Sequence, residues 1–358
     1  MINRLLENLP NRYQPLPGAG ASGGFSDVLY CNDKNLERHV VIKSIRDISE
    51  TDRLLDEVNA LMQLRSKHVV QLYDVIYDNS TIIGIVMEFI KGNDLLCLPE
   101  TIKNGECLLK VLWQIASGIS DIHQAGIIHR DIKPNNMKMG GEDIVKIFDF
   151  GLSRKQDLNA KTIGFKGTFG FSAPELFQNE SKFTNAIDVY AFGATVLYFI
   201  RPELFQNFRN TPFSTLPVGS FEHGYLSTYP NLIPLFEQCF SPNPTERPRM
   251  SHIRDEIGKH LLLNQHQALI IHKAKSHILN ADSRTAKLDS PVGSCELYYD
   301  GLNFIMQNIN GEVFVNNKYI KEVTILYGAC VISLGNSDRH ARERYFITFD
   351  ISNPEITL

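Results

Sequence analysis

The chain has 358 residues, of which 43% are hydrophobic and 21% charged, with a formal net charge of −4. That is enough apolar material for about two cored domains, and too little charge for a disordered chain. A slightly acidic balance with no dense Lys/Arg run gives no reason to expect a nucleic-acid partner, whose phosphate backbone needs a basic surface.

Residues 1–17 read as a short lead-in. Residues 2–9 can make two helical turns before the Pro-rich stretch 10–17, and residues 1–10 lack the apolar run of a signal peptide. A Gly-rich stretch, 18–24, precedes strand-like runs at 28–30 and 40–42. Leu54, Val58, Leu61 and Leu64 then repeat at helical spacing, and further strand-like runs follow at 69–77 and 82–89. This predicts a small, sheet-rich region with one helix. After Asp94 the pattern turns helical: Leu108, Leu112, Ile115, Ile119 and Ile122 mark an amphipathic helix ending near Gly126, and helices are expected at 185–200, 231–240 and 250–263. The longest apolar stretch, 189–200, is too short to span a bilayer and contains Gly193 and Thr195. From about Leu263 short strand-like runs (270–271, 313–315, 325–326, 331–332, 345–349) alternate with the turn signals Asp300-Gly301, Asn310-Gly311 and Gly335-Asn336, which predicts an all-β domain. The six cysteines (Cys31, Cys97, Cys107, Cys239, Cys295 and Cys330) form no CxxC pair and read as reduced thiols. A cytoplasmic protein without a membrane partner is the expectation.

The chemistry is concentrated in His129-Arg130-Asp131-Ile132-Lys133-Pro134-Asn135-Asn136, an H-R-D-x-K-x-x-N pattern, followed eighteen residues after Asp131 by Asp149-Phe150-Gly151. The interval suits a β-hairpin that returns Asp149 beside Asn136. Phosphoryl transfer needs such parts: a carboxylate for the attacking hydroxyl, oxygen ligands for Mg²⁺ and a cation on the phosphates.

With these motifs in order, residues 16–260 resemble the protein-kinase superfamily. The resemblance implies an α+β bilobal kinase fold over residues 1–262, with an N-lobe at about 15–90 and a C-lobe at about 91–262. It implies ATP and Mg²⁺ as cofactors and protein Ser/Thr hydroxyls as substrate. Ala21, Gly23, Gly24, Ser26 and Val28 fit the loop that covers the phosphates, and Ile42-Lys43 the strand bearing the phosphate-contacting lysine. Glu57 fits the helix glutamate that pairs with Lys43. Met87, Glu88 and Ile90 fit the gatekeeper and hinge, and Asp94 the acid that reaches the ribose. Asp131 would orient the substrate hydroxyl proton, Lys133 stand near the transferring phosphoryl, and Asn136 and Asp149 hold Mg²⁺. Gly167-Thr168 through Ala173-Pro174-Glu175 matches the end of the activation segment, with Thr168 bonded to the catalytic loop. Asp188 and Arg247 match residues that tie the larger lobe together, Arg247 by an ion pair to Glu175. Two departures stand out: Ala21 and Ser26 replace two glycines of the phosphate loop, and the Lys43–Glu57 interval is short. Arg130 implies a phosphate on the activation segment, for which Thr162 is the candidate, with Lys155, Lys161 and Lys166 nearby. The layout resembles bacterial or phage kinases. A pseudokinase scaffold and a small-molecule phosphotransferase are the alternatives.

Residues 263–358 resemble a forkhead-associated (FHA) domain, an antiparallel β-sandwich. Asn310-Gly311-Glu312-Val313-Phe314-Val315-Asn316 carries the likeness, with 325–335 as closing strands. Ser283-Arg284 matches a pair that binds phosphothreonine in that family, while His272-Lys273 stands where the family has Gly-Arg. The resemblance implies a phosphothreonine-containing partner held by Ser283, Arg284 and Asn310, with Lys273 as a substitute cation. A structural or dimerising β-domain is the alternative.

Overall fold

The computed structural model describes residues 2–22, 26–47, 51–155, 168–177, 183–207, 216–272, 275–352, 354 and 356. The chain divides into two compact units at Ile257/Gly258, a few residues before the boundary read from composition and inside a helix.

The first unit begins with helix α1 (Ile2–Glu7) and five antiparallel strands: β1 (Tyr13–Ser22), β2 (Ser26–Asp33), β3 (Arg38–Ile45), β4 (Leu72–Asp78) and β5 (Thr81–Glu88). They lie in the order β1-β2-β3-β5-β4, with α2 (Thr51–Gln63) between β3 and β4. Side chains alternate across a strand, so β3 serves both faces. Val40 and Ile42 join Tyr13, Cys31, Ile83 and Val86 in one buried cluster. Lys43 points to the other face, where Glu57 of α2 waits. The lead-in does more than the sequence suggested: Leu5 of α1 is 1% exposed and closes the Ile42 cluster. A Cβ at Gly84 would lie 2.9 Å from Leu5 Cδ1, and Arg4 pairs with Asp78 across the sheet edge.

The remainder of the unit is mainly helical: α3 (Leu98–Thr101), α4 (Gly105–Gln124), α5 (Ala186–Ile200), α6 (Pro202–Asn207), α7 (Ile233–Gln238) and α8 (Met250–Leu261). Between α4 and α5 lie the short strands β6 (Ile127–Ile128), β7 (Met137–Met139), β8 (Val145–Ile147) and β9 (Arg154–Lys155). The Asn104 side chain caps α4 by accepting from the Cys107 N–H at 2.8 Å. Its five periodic apolar residues are all buried. Helix α5 is apolar on nearly every side because it is buried on nearly every side. Among the described residues no helix is long and apolar enough to cross a membrane.

His68 is 2% exposed, with Nδ1 donating to the Val145 carbonyl at 3.1 Å. Burial depresses its pKa from 6.5 to about 4. The unfolded chain therefore binds a proton there before the folded one does. Stability of the first unit should fall as pH drops from about 6.5 towards about 4. Melting temperatures across that range should decline less steeply in His68→Gln; parallel curves would remove His68 as the cause.

Among its described residues the second unit holds ten strands: β10 (Gln267–His272), β11 (Lys275–Leu279), β12 (Thr285–Ser290), β13 (Gly293–Tyr299), β14 (Phe304–Gly311), β15 (Val313–Val315), β16 (Lys318–Tyr319), β17 (Thr324–Leu326), β18 (Cys330–Leu334) and β19 (Tyr345–Ser352). They form a six-stranded sheet, β11-β10-β19-β18-β15-β16, and a four-stranded sheet, β12-β13-β14-β17. Every pairing is antiparallel. Ala268, Ile332 and Phe349 of the larger sheet share one buried cluster with Leu297, Phe304 and Met306 of the smaller. Two antiparallel sheets packed on a common core make a sandwich.

Candidate active site

The candidate catalytic residues are brought together by two devices, a local hairpin and a carboxylate from helix α5. Strands β7 and β8 pair Met137 with Ile147, and Phe148 N–H donates to the Asn136 carbonyl at 3.0 Å. The hairpin thus returns Asp149 beside Asn136, as the spacing predicts. Asp188, at the start of α5, is fully buried and accepts from the backbone N–H groups of His129 and Arg130, both at 2.8 Å. His123 Nε2 lies 3.0 Å from the same carboxylate. The loop before Asp131 is thereby fixed from below; Arg130 has φ +71° and Asp149 φ +67°, left-handed conformations that cost energy unless the surroundings hold them.

Lys43 Nζ lies 2.6 Å from Glu57 Oε2 and 2.7 Å from Asp149 Oδ1. Glu57 is 1% exposed and its other oxygen accepts from the Phe150 N–H at 3.3 Å. Burial works against charge on Lys43, but the two carboxylates outweigh it and hold its pKa above the ordinary value. Burial likewise opposes charge on Asp149, and Lys43 outweighs it, keeping Asp149 below the usual carboxylate range. A second set stands at Asp131: Lys133 Nζ is 2.7 Å from both Asp131 Oδ2 and Thr168 Oγ1, and the Thr168 hydroxyl donates to Asp131 Oδ1 at 2.9 Å. Asn136 Nδ2 donates to Asp131 Oδ2 at 2.8 Å.

The Asn136 amide nitrogen is thus occupied, which leaves its oxygen, with Asp149 Oδ2, for a hard cation. Mg²⁺ takes one or two protein oxygens and completes its shell with phosphate and water, so these residues fit it. Among the described residues no cluster of three or more His, Cys, Asp or Glu forms another metal site.

Beside Lys43 opens a cavity of about 190 Å³. Val28, Met87, Glu88 and Ile90 line it, as the motifs imply; Tyr30, Val41, Val70, Lys138 and Phe148 line it as well. Strand alternation could have found Tyr30 and Val41, two residues from Val28 and Lys43. The same alternation removes Ile42, which is 0% exposed and faces the α1 side of the sheet. Asp94 lies 3.7 Å from Lys138 Nζ, and its Oδ1 is buried with no hydrogen-bond partner among the described residues. Glu175 and Arg247 form a buried bidentate pair at 2.6 and 2.9 Å.

Gly23, Gly24, Thr162, Lys161, Lys166, Gly167 and Lys273 lie outside the described residues. Ala21 and Ser26 are described only as backbone, on β1 and β2, where Ala21 pairs with Val28.

In the second unit, Ser283 Oγ is 3.2 Å from His277 Nε2, and Arg284 donates to Asn264 Oδ1 at 2.7 Å. The Arg284 carbonyl accepts from Tyr299 N–H, whereas Asn310 pairs with Ser294. Those points, Tyr299 and Ser294, are five positions apart on β13, roughly 17 Å along a strand. The structure therefore does not bring Ser283 and Arg284 together with Asn310: they stand at opposite ends of one sheet.

The protein kinase domain family matches residues 20–256, so the match stops short of the second unit. A probable serine/threonine-protein kinase of Dictyostelium discoideum is 32% identical over 216 residues, covering 57% of this chain and 30% of its own length. The inhibitor of nuclear factor kappa-B kinase subunit alpha of Gallus gallus is 32% identical over 209 residues (52% and 27%). Mitogen-activated protein kinase 12 of Danio rerio is 31% identical over 202 residues (54% of each). The chain spans about a quarter to a half of the length of these relatives. All three come from eukaryotes and lend no support to the bacterial or phage likeness.

Proposed function

Because this chain belongs to the protein kinase domain family, we propose that it transfers the γ-phosphoryl group of ATP to serine or threonine hydroxyls of protein substrates. ATP with Mg²⁺ is the cofactor pair of the family. The reading rests on one observation above all: Lys43 is tied at once to Glu57 and Asp149, at 2.6 and 2.7 Å, in the arrangement a nucleotide needs.

Asn136 and Asp149 supply the oxygens for Mg²⁺, which neutralises phosphate charge when bound. Lys43 engages the phosphates deeper in the cavity and is kept in place by Glu57. Asp131 accepts the proton of the attacking hydroxyl. Thr168 and Lys133 hold the Asp131 carboxylate from two sides, so it does not have to reorganise during the reaction. Lys133 adds positive charge where the phosphoryl group travels. Phosphorylation of Thr162 by the enzyme itself belongs to this proposal.

For the second unit we propose recruitment of a protein partner. The sandwich arrangement supports the FHA likeness; the distance of Asn310 from Ser283 and Arg284 weighs against phosphothreonine capture by those three residues. The cytoplasm is the proposed location, on the strength of six free cysteines.

Labelled ATP with Mg²⁺ and a generic basic protein tests the activity. Label should enter the wild type or the added protein and be absent with Asp149→Ala. Nucleotide binding without label in either would leave a scaffold, and no nucleotide binding would refute the reading.

A further inference from the structure

The two sheets of the second unit are unequal, six strands against four. Among the described residues the smaller sheet ends at β12, which pairs with β13, and the larger ends at β11. Between these edges lies a cleft of about 480 Å³. Its floor is core: Ile270, Leu334 and Ile347, each buried. Lys275, His277 and Lys287 stand on its walls with a single acid, Asp289. Lys275, Lys287 and Asp289 make no side-chain hydrogen bond or ion pair among the described residues.

The open edge of β12 is defined by its register. Tyr299 N–H donates to the Arg284 carbonyl at 2.8 Å, and β12 then pairs residue by residue down to Ser290 with Gly293. Hydrogen-bonded and non-bonded pairs alternate in an antiparallel ladder. Ala286 and Leu288 therefore spend their backbone groups on β13. Thr285, Lys287 and Asp289 turn theirs outward, where such groups are a template for another strand. The side chains of Ala286 and Leu288 pack partly against the core.

We propose that this cleft takes an extended acidic segment of a partner protein, which pairs with β12 as a fifth strand of the smaller sheet. Outward-facing N–H and C=O groups give the pairing and alternate pockets give the specificity. Apolar residues of the segment continue the row of Ala286 and Leu288 over the core floor. The acidic ones between them lie in the alternate row with Lys287, and Lys275 borders the cleft from β11. The inference deepens the recruiting role proposed above by naming the chemistry of the partner.

The test uses the full chain and a short synthetic peptide alternating Glu and Val, which has no hydroxyl to phosphorylate and so is independent of the kinase reading. It should bind, while a Lys/Val counterpart should not. Lys287→Glu should weaken binding by about tenfold or more, as loss of a close charge pair does. Lys287→Pro should abolish it with an unchanged melting temperature, because the lost N–H faces outward and the β12–β13 ladder stays whole. Equal binding of the two peptides, no binding by the wild type, or binding that survives Lys287→Pro overturns the proposal. Should Lys287→Pro not fold, the Lys275→Glu/Lys287→Glu double variant decides, and unaltered binding there overturns it. A phosphothreonine peptide held equally by wild type and Lys287→Pro, with no Glu/Val binding, would keep recruitment and eliminate the strand site.

Discussion

Lys43→Met should lower phosphoryl transfer by about 10²–10³-fold or more, the loss that follows removal of a single preorganised charge from a transition state. Methionine keeps the length of the stem and removes only the cation. The substitution also leaves Glu57 buried at 1% exposure without a counter-charge, so the protein should lose stability as well as activity. The two losses separate in the double variant. Lys43→Met/Glu57→Gln removes the stranded charge and should recover most of the melting temperature, while transfer of label stays at the level of the single variant. Recovery of activity in the double variant would mean that Lys43 serves folding alone, and the mechanism above would not stand.

Arg247→Ala should cost about 3–5 kcal/mol, the penalty of stranding one partner of a buried ion pair. The Arg247 side chain is 0% exposed. It binds Glu175 through both terminal nitrogens, donates to the carbonyls of Ala186 and Ser241, each at 3.0 Å, and lies over the Tyr190 ring at 5.2 Å. Alanine removes all of these. Replacing both partners, as Arg247→Met with Glu175→Met, should restore only part of the loss, because two carbonyls remain without a donor. Thermal or denaturant unfolding measures it. A single-variant cost below about 1 kcal/mol, the range of an exposed pair, would show that the site is wetter than its burial indicates.

The candidate site was legible where the grouping of its residues is local. His129 through Asn136 and Asp149 lie within one loop-and-hairpin segment, whose pairing returns Asp149 beside Asn136. What holds the segment in place, Asp188 of α5 above all, comes from far along the chain. Glu57 was reachable only through the motif around it, since one acid on a polar helix carries no signal alone. Three features were not legible, each for a physical reason. Ile42 was read with Lys43 because they are neighbours in sequence, but adjacent strand residues face opposite sides. Lys138 and Phe148 enter the cavity because the β7–β8 hairpin folds beneath it, a tertiary event that no short window contains. Ser283-Arg284 and Asn310 each match a motif, yet a linear motif does not say at which end of a strand it will finish. Only the register of β12, β13 and β14 decides that.

Helix α1 has a consequence for how this chain can vary. Gly84 and Leu5 are separated by almost the whole of the small lobe in sequence, but they share one contact: a methyl at 84 would meet Leu5 Cδ1 at 2.9 Å. Drift at the two positions is therefore coupled. A lineage that acquires alanine at 84 must retract or shorten the side chain at 5, and one that loses the helix frees 84 to change. Across an alignment of descendants, glycine at 84 beside a large apolar residue at 5 would mark the chains in which the helix still covers the sheet, and it would do so without a structure for any of them.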